Sequence, residues 1–307
     1  MSDAGASQPM PEMIGQPVDP PFVRLPDPST LFRVRAQRFA VLAQTHQLAP
    51  YLHFMAGLSE AQHRTCDGLP EPAMPDQADL DRAREYAMPP FDRGRFKTDA
   101  ALDATFEKLF SLAPQIDMPD QARAALARAT ALDGAARAEM TALVLNHVPP
   151  GQRAGEYAFV AAALQAHFAR LASRLAPKSL VPVGEGACPA CGSPPVASMV
   201  VDWPNASGVR YCACSLCSTF WHVVRVKCVC CGSTGGISYE EIADGPSAGQ
   251  VRAETCQTCK SYVKIMLAQK DPSLDPFADD VATLGLDLLV RETGLRRGGV
   301  DPFLIGY

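Results

Sequence analysis

"YCACSLCSTFWHVVRVKCVCCG", residues 211–232, holds six of the chain's eleven cysteines and governs how the second half of the protein folds. Ten of the eleven lie between Cys188 and Cys259, and the total is odd. The chain begins "MSDAGASQPMPEMIGQPVDPP", without the basic and apolar regions of a secretory signal. We therefore expect a cytoplasmic protein whose thiols stay reduced, which disfavours a disulfide framework. A thioredoxin-like redox motif is also disfavoured, because no βαβ pattern surrounds these cysteines.

Eight cysteines form four C-x-x-C pairs, a spacing typical of metal ligands. Two residues between thiolates let the chain fold into a tight knuckle. Two facing knuckles place four thiolates in a tetrahedron, the geometry of Zn²⁺ or of a rubredoxin-type iron. We predict two such sites; pairing the first knuckle with the second and the third with the fourth is the simplest arrangement, and a crossed one remains open. The predicted ligands are Cys188, Cys191, Cys214, Cys217, Cys228, Cys231, Cys256 and Cys259.

The cysteine-rich region contains an internal repeat. "CPACGS" at residue 188 matches "CVCCGS" at residue 228, and "GVRYCACSLCSTF" at 208 matches "QVRAETCQTCKSY" at 250. Cys212 then falls opposite Glu254, and Cys230 falls opposite Ala190. These two cysteines lie outside the shared pattern, and we expect them to be small buried hydrophobic residues rather than ligands.

The domain organisation follows from a change in composition near residue 180. Before it, apolar residues recur every three or four positions between proline-rich breaks, a pattern typical of helices; after it come short β-type runs. We predict a multidomain α plus small β fold, with an all-α N-terminal domain followed by two tandem rubredoxin-like (zinc-ribbon-like) metal modules and a C-terminal helix. The expected units are a disordered tail (1–28), the helical domain (29–180), the two modules (181–226 and 227–270) and the C-terminal helix and tail (271–307).

The C-terminal helix is marked by "LDPFADDVATLGLDLLVRETG", with Asp275 as its expected N-cap and Gly294 closing it. Its apolar row is Phe277, Val281, Leu284 and Leu288. This row must dock on the helical domain or on a neighbouring chain, and the second choice leaves a homodimer open.

Charge and motifs exclude several functions. The net charge is −5, the pI is about 5.7, and residues 188–270 carry seven Lys or Arg against five Asp or Glu, which disfavours nucleic-acid binding. We expect Arg33, Arg35 and Arg38 to form a solvated face. No stretch of roughly 18 residues, the length needed to cross a bilayer, is uncharged and apolar throughout, so no membrane insertion is expected. The sequence has no glycine-rich phosphate loop, nucleophile elbow or H-E-x-x-H helix, and we predict that the protein is not an enzyme.

Four segments carry a resemblance to a known family: "CPACGSPPVASMV", "GVRYCACSLCSTFWHVVRVKC", "RAETCQTCKSYVKIM" and "KDPSLDPFADDVATLGLDLL". They resemble FdhE, the accessory protein for formate dehydrogenase formation, over roughly residues 185–305. The stretch "RVRAQRFAVLAQTHQLAPYLHFMAGL" extends the similarity more loosely toward the N-terminus.

The resemblance implies a cytoplasmic accessory protein required for active respiratory formate dehydrogenase. Such a protein binds the catalytic subunit of that enzyme before its twin-arginine export, and its rubredoxin-like modules are associated with iron. The implied cofactor is iron in two mononuclear sites of four cysteines each, with zinc as an alternative or substitute, held by the eight paired cysteines. Two other functions stay open from the residues alone: a zinc-ribbon nucleic-acid-binding protein and an electron carrier.

Overall fold

The computed structural model describes residues 19–204, 206–245 and 247–304. Helices between residues 31 and 172 form a bundle. Helix α7 lies at its centre, with fifteen of its nineteen residues buried, and α2, α4, α5 and α6 pack around it. Its alanine-rich sequence allows close approach: a Cβ on Gly155 would lie 2.5 Å from the Cβ of Ala125 on α5. The helices are α1 (Leu31–Leu42), α2 (Ala49–Cys66), α3 (Gln77–Glu85), α4 (Ala100–Leu112), α5 (Asp120–Thr130), α6 (Gly134–Leu145) and α7 (Ala154–Ala172).

The cysteine-rich region forms a single sheet with the strand order β1-β4-β3-β2-β7-β6-β5, and β8 pairs with β7. The pairs β2–β7 and β7–β8 are parallel, and the other described pairs are antiparallel. The strands are β1 (Val23–Arg24), β2 (Pro195–Trp203), β3 (Ala206–Cys214), β4 (Phe220–Val223), β5 (Ile237–Glu240), β6 (Val251–Cys256), β7 (Ser261–Leu267) and β8 (Arg296–Arg297).

The internal repeat is visible in the strand register. Cys212 of β3 pairs with Trp221 of β4, and at an offset of 42 residues Glu254 of β6 pairs with Val263 of β7. The predicted fold class, a helical region followed by two cysteine modules, is confirmed. The parallel pairing of β2 with β7, which the sequence pattern did not predict, joins both modules into one sheet.

The predicted C-terminal helix is in fact two short helices, α8 (Ala278–Ala282) and α9 (Leu284–Glu292). A contact from β7 accompanies the break: the ammonium of Lys264 donates to the backbone carbonyls of Asp280 (2.7 Å) and Thr283 (3.0 Å). Because the break shifts the helix face, Leu286 is buried and Leu288 is 46% exposed, so the expected apolar row is wrong at its end.

The expected N-cap, Asp275, lies two residues before the N-cap position of α8, which is Phe277, and it caps the turn that leads into the helix. The Asp275 carboxylate accepts hydrogen bonds from the backbone N–H groups of Phe277 and Ala278. Phe277 and Val281 are fully buried, and α8 packs against α1 and α2. The C-terminal segment therefore docks on the helical region of its own chain.

The prediction of a disordered tail over residues 1–28 is wrong for its last ten residues. Val23 is buried and pairs with Trp221, and the backbone N–H of His222 donates to the carbonyl of Phe22 at 2.8 Å. Residues 19–28 thus include a strand at the sheet edge, while residues 1–18 of the expected tail lie outside the described residues.

The expectation of a solvated arginine face on α1 is wrong for two of three residues. Arg35 is fully buried; its Nε lies 3.3 Å from Asp275, and its guanidinium lies 3.9 Å from the ring centre of Phe277. Arg38 is paired with Asp279 at 2.6 Å, whereas Arg33 is exposed. These pairs fasten α1 to the C-terminal segment. Among the helices of the described residues, none is long and apolar enough to cross a membrane.

Candidate metal centres

The eight predicted ligands come together in two groups. The first cluster is Cys188, Cys191, Cys214 and Cys217, and the second cluster is Cys228, Cys231, Cys256 and Cys259. Within each, all four sulfurs lie within 4.8 Å of one another. The simpler pairing of knuckles is therefore the one observed, and the crossed arrangement is absent from these two clusters.

The sulfur spacing fits a tetrahedral metal. In the first cluster, Cys191 Sγ lies 3.4 Å from Cys214 Sγ and 3.6 Å from Cys217 Sγ. In the second cluster, the Cys228–Cys259 and Cys231–Cys256 sulfur distances are 3.7 and 3.8 Å. A tetrahedron with metal–sulfur bonds of about 2.3 Å has edges of about 3.8 Å. Both donor sets are thus close to the geometry that zinc or iron requires.

The knuckle backbone directs N–H groups at the sulfurs. The N–H groups of Leu216 and Cys217 approach Cys214 Sγ at 3.4 and 3.3 Å. In the second cluster, the backbone of residues 258 and 259 makes the same bonds to Cys256. Gly192 and Gly232 follow the first and third knuckles at φ of +74° and +76°, a backbone conformation that glycine adopts without steric cost. The repeated sequence therefore produces a repeated site.

Burial and hydrogen bonds together set the pKa of the cluster thiols. Burial raises the pKa of Cys188 and Cys214 well above the ordinary value. Burial also acts on Cys191, but hydrogen bonds from the other three cysteines and Ser193 hold its pKa well below the ordinary value. Burial also acts on Cys256, but hydrogen bonds from the backbone N–H groups of residues 258 and 259 outweigh it and leave a pKa of about 7. Four thiolates in one buried cluster would repel each other, so full ionisation requires a cation, whose binding releases protons.

The helical region encloses the first cluster, whose four cysteines are all completely buried. The N–H of Phe91 donates to the carbonyl of Ala190 at 3.0 Å, and the N–H of Arg93 donates to the carbonyl of Cys191 at 3.2 Å. On the other knuckle, Gln165 of α7 donates to the carbonyl of Ser215 at 2.9 Å. Both knuckles of this cluster are therefore held by helices and loops of the N-terminal region.

The second cluster is more open. Cys228 and Cys256 are buried, Cys259 is half-buried, and Cys231 is exposed. The clusters thus share one local fold but differ in their access to solvent.

The two spare cysteines lie outside both quartets. Cys212 is completely buried on β3, and its sulfur lies 3.8 Å from Ser198 Oγ. Cys230 is half-buried, and its thiol interacts with that of Cys228. Cys212 therefore matches the expectation of a small buried residue, and Cys230 does so only in part.

A cavity of about 400 Å³ borders the third knuckle. Its wall includes Cys228, Trp221 and His222, and the pair formed by Lys227 and Glu185, at 2.5 Å, lies beside it. His222 belongs to neither cluster and packs its ring 5.8 Å from that of Tyr211.

A buried ionic network that the sequence pattern did not predict lies beneath the second module. Lys264 on β7 lies 2.5 Å from Asp287 and 3.2 Å from Asp280. Arg297 on β8 pairs with the same two carboxylates, at 2.8 and 2.5 Å. The one available signal was a lysine inside the apolar run "YVKIML". The network fastens the C-terminal helices to the module.

Comparison with known proteins assigns the family. The model described as "FdhE, N-terminal" matches residues 20–185, "FdhE, central domain" matches 187–225, and "FdhE, C-terminal domain" matches 226–304. The chain belongs to the FdhE family. The resemblance seen in the cysteine-rich segments is thereby confirmed over nearly the whole length.

FdhE relatives cover the chain almost completely. It is 44% identical over 300 residues to a protein FdhE homolog of Rhizobium meliloti (strain 1021), covering 98% of both chains. It is 34% identical over 288 residues to one of Proteus mirabilis (strain HI4320), covering 92% of this chain and 91% of the relative. The crystal structure of the FdhE protein from Pseudomonas aeruginosa superposes with a TM-score of 0.82 at 30% identity, covering 94% of this chain and 99% of that one.

Proposed function

We propose that this protein is a cytoplasmic accessory factor for the formation of respiratory formate dehydrogenase. In this proposal it binds the catalytic subunit of that enzyme before twin-arginine export, and it acts by binding rather than by catalysis. The observation that carries the proposal is the presence of two complete cysteine quartets in a chain that matches the FdhE family from residue 20 to residue 304.

We also propose that each quartet holds one metal ion and that the native metal is iron. The sulfur spacing and the N–H groups directed at the sulfurs support ligation. Four thiolates accept both iron and zinc, so zinc can take the place of iron. Bound metal would stabilise the small modules and keep their exposed loops in fixed positions, which lowers the entropy lost when a partner binds.

The test is anaerobic affinity capture from cells that make respiratory formate dehydrogenase, followed by mass spectrometry. We expect the wild-type chain to recover the catalytic subunit and a Cys256→Ser, Cys259→Ser variant to lose it. Cys66→Ser is the matched control, since Cys66 lies on α2 outside both clusters, and it should behave as wild type. Recovery of nucleic acid in place of the subunit would overturn the proposal and favour a zinc-ribbon function.

A further inference from the structure

We propose that the second cluster is a ligand-exchange site that accepts an external thiolate, whereas the first cluster is a closed structural site. This inference rests on the proposed metal ligation of both quartets and adds a distinct chemical role to one of them. It follows from the different surroundings of two sites with the same local fold.

The first cluster offers no path to an incoming ligand. Its four cysteines have no solvent-exposed surface, and the backbone of both knuckles is hydrogen-bonded to the helical region. Arg35 extends this cover, because it donates to Ser218 Oγ at 3.3 Å just after the second knuckle. A ligand could reach this metal only after local unfolding of the covering elements.

The second cluster is open to solvent at two of its cysteines: Cys231 is exposed and Cys259 is half-buried. Cys231 is exposed, and its counterpart in the repeat, Cys191, is completely buried. The difference comes from the surroundings of the two residues. The 91–93 loop of the helical region contacts Cys191, and the backbone N–H of Arg93 donates to the Cys191 carbonyl. Cys231 belongs to the second module, which this loop does not cover. An external thiol can therefore approach the metal beside Cys231 without unfolding of the protein.

The exchange is a substitution without electron transfer. The incoming thiol gives its proton to solvent as its sulfur bonds to the metal. The bond between the metal and Cys231 breaks, and the released Cys231 sulfur takes up a proton. The metal keeps four sulfur ligands and its oxidation state throughout. Cys228, Cys256 and Cys259 hold it in place while the external thiolate is bound.

The test follows metal release from the full-length protein loaded with two equivalents of Zn²⁺, using a chromogenic chelator. We expect two phases of one equivalent each, with the fast phase at least about tenfold faster because it needs no local opening. The rate of the fast phase should rise with the concentration of 2-mercaptoethanol, and that of the slow phase should not. A single-cysteine peptide that exceeds 2-mercaptoethanol at equal concentration would identify a protein thiol as the natural ligand, and equal rates would identify a small thiol.

Variants at matched positions assign the phases. A Cys231→Ser, Cys259→Ser variant should retain only the slow phase. A Cys191→Ser, Cys217→Ser variant, which changes the counterpart positions, should retain only the fast one. Cys230→Ala, which copies Ala190 of the first module, should leave both phases unchanged. Should the variant of the first cluster fail to fold, alkylation of the zinc-loaded wild type, read by mass spectrometry, should modify Cys231 first.

Two results are distinguishable failures. The proposed exchange at the second cluster would be wrong if both zinc ions were released in one phase, or if the rate of the fast phase did not depend on thiol. Either result would still agree with metal binding by both quartets. A wild-type chain that binds no zinc would overturn the proposed ligation itself.

Discussion

Replacing Glu254 by Gln is expected to destabilise the folded protein by about 3 kcal/mol, because it leaves a buried guanidinium without its counter-ion. Arg210 on β3 and Glu254 on β6 are 0% and 3% exposed, and their charged atoms lie 2.8 Å apart. The pair joins the two modules, since β3 belongs to the first and β6 to the second. Glu254 also accepts a hydrogen bond from the Tyr239 hydroxyl at 3.1 Å.

The size of the expected loss of unfolding free energy depends on the hydrogen bonds that Arg210 would retain in the variant. Removal of one partner of a buried ion pair costs about 3–5 kcal/mol. Arg210 would retain neutral acceptors on Ser198 Oγ and on the carbonyls of Arg225 and Lys227, at 2.9 to 3.2 Å. These bonds place the expected loss at the lower end of that range.

The assay is urea unfolding of the zinc-saturated protein, followed by circular dichroism. The repeat offers a matched control: Arg252 occupies the position equivalent to Arg210 and pairs with Glu241, but both side chains are about one-third exposed. Glu241→Gln should cost less than about 1 kcal/mol. Adding Arg210→Met to Glu254→Gln should recover about half of the loss, since it removes the unpaired charge. A Glu254→Gln variant within about 1 kcal/mol of wild type would refute the reasoning.

Three further predictions concern acid stability, packing and metal. Burial lowers the pKa of the His167 imidazole from 6.5 to about 4. The buried neutral imidazole therefore contributes its full share of the unfolding free energy above pH 6.5, and this share is lost as the pH falls toward 4. His167→Gln should reduce the loss of unfolding free energy over that pH range by about 1–3 kcal/mol, and an unchanged loss would contradict a buried, neutral imidazole. Gly299→Ala would place a Cβ 2.7 Å from the carbonyl oxygen of Val196 and should lower the unfolding free energy by about 1–3 kcal/mol. Gly285→Ala is the control, because its Cβ would make only an ordinary contact and should not destabilise the protein. Equal effects of the two substitutions would contradict the packing around Gly299. Anaerobic purification from the native host should yield iron by elemental analysis, and stoichiometric zinc without iron would contradict the proposed native metal.

The two cysteine clusters were predictable from the sequence because their signals are local. A C-x-x-C knuckle is specified by four residues and a following turn, and the repeat indicated which knuckles correspond. Even the mismatched positions were informative: Cys212 and Glu254 occupy equivalent places on β3 and β6, as the alignment of the two halves indicated.

The remaining features depend on contacts between distant segments. The parallel pairing of β2 with β7 leaves no periodic pattern in either strand. At the break near Thr283 an ammonium group from β7 binds the helix carbonyls, and the only local signal was the low helix propensity of Thr283 and Gly285. The burial of Arg35 depends on Asp275, 240 residues further along the chain. The sequence of an amphipathic helix does not show whether a charged side chain is solvated by water or forms an ion pair with a distant carboxylate.

The most direct test of the account is the metal content of three anaerobically purified proteins, measured by elemental analysis. The account predicts two metal ions per chain in the wild type. It predicts one in a Cys191→Ser, Cys217→Ser variant, which disrupts the first cluster, and one in a Cys231→Ser, Cys259→Ser variant, which disrupts the second. The same metal content in all three proteins would contradict the assignment of the eight cysteines as two separate tetrahedral sites.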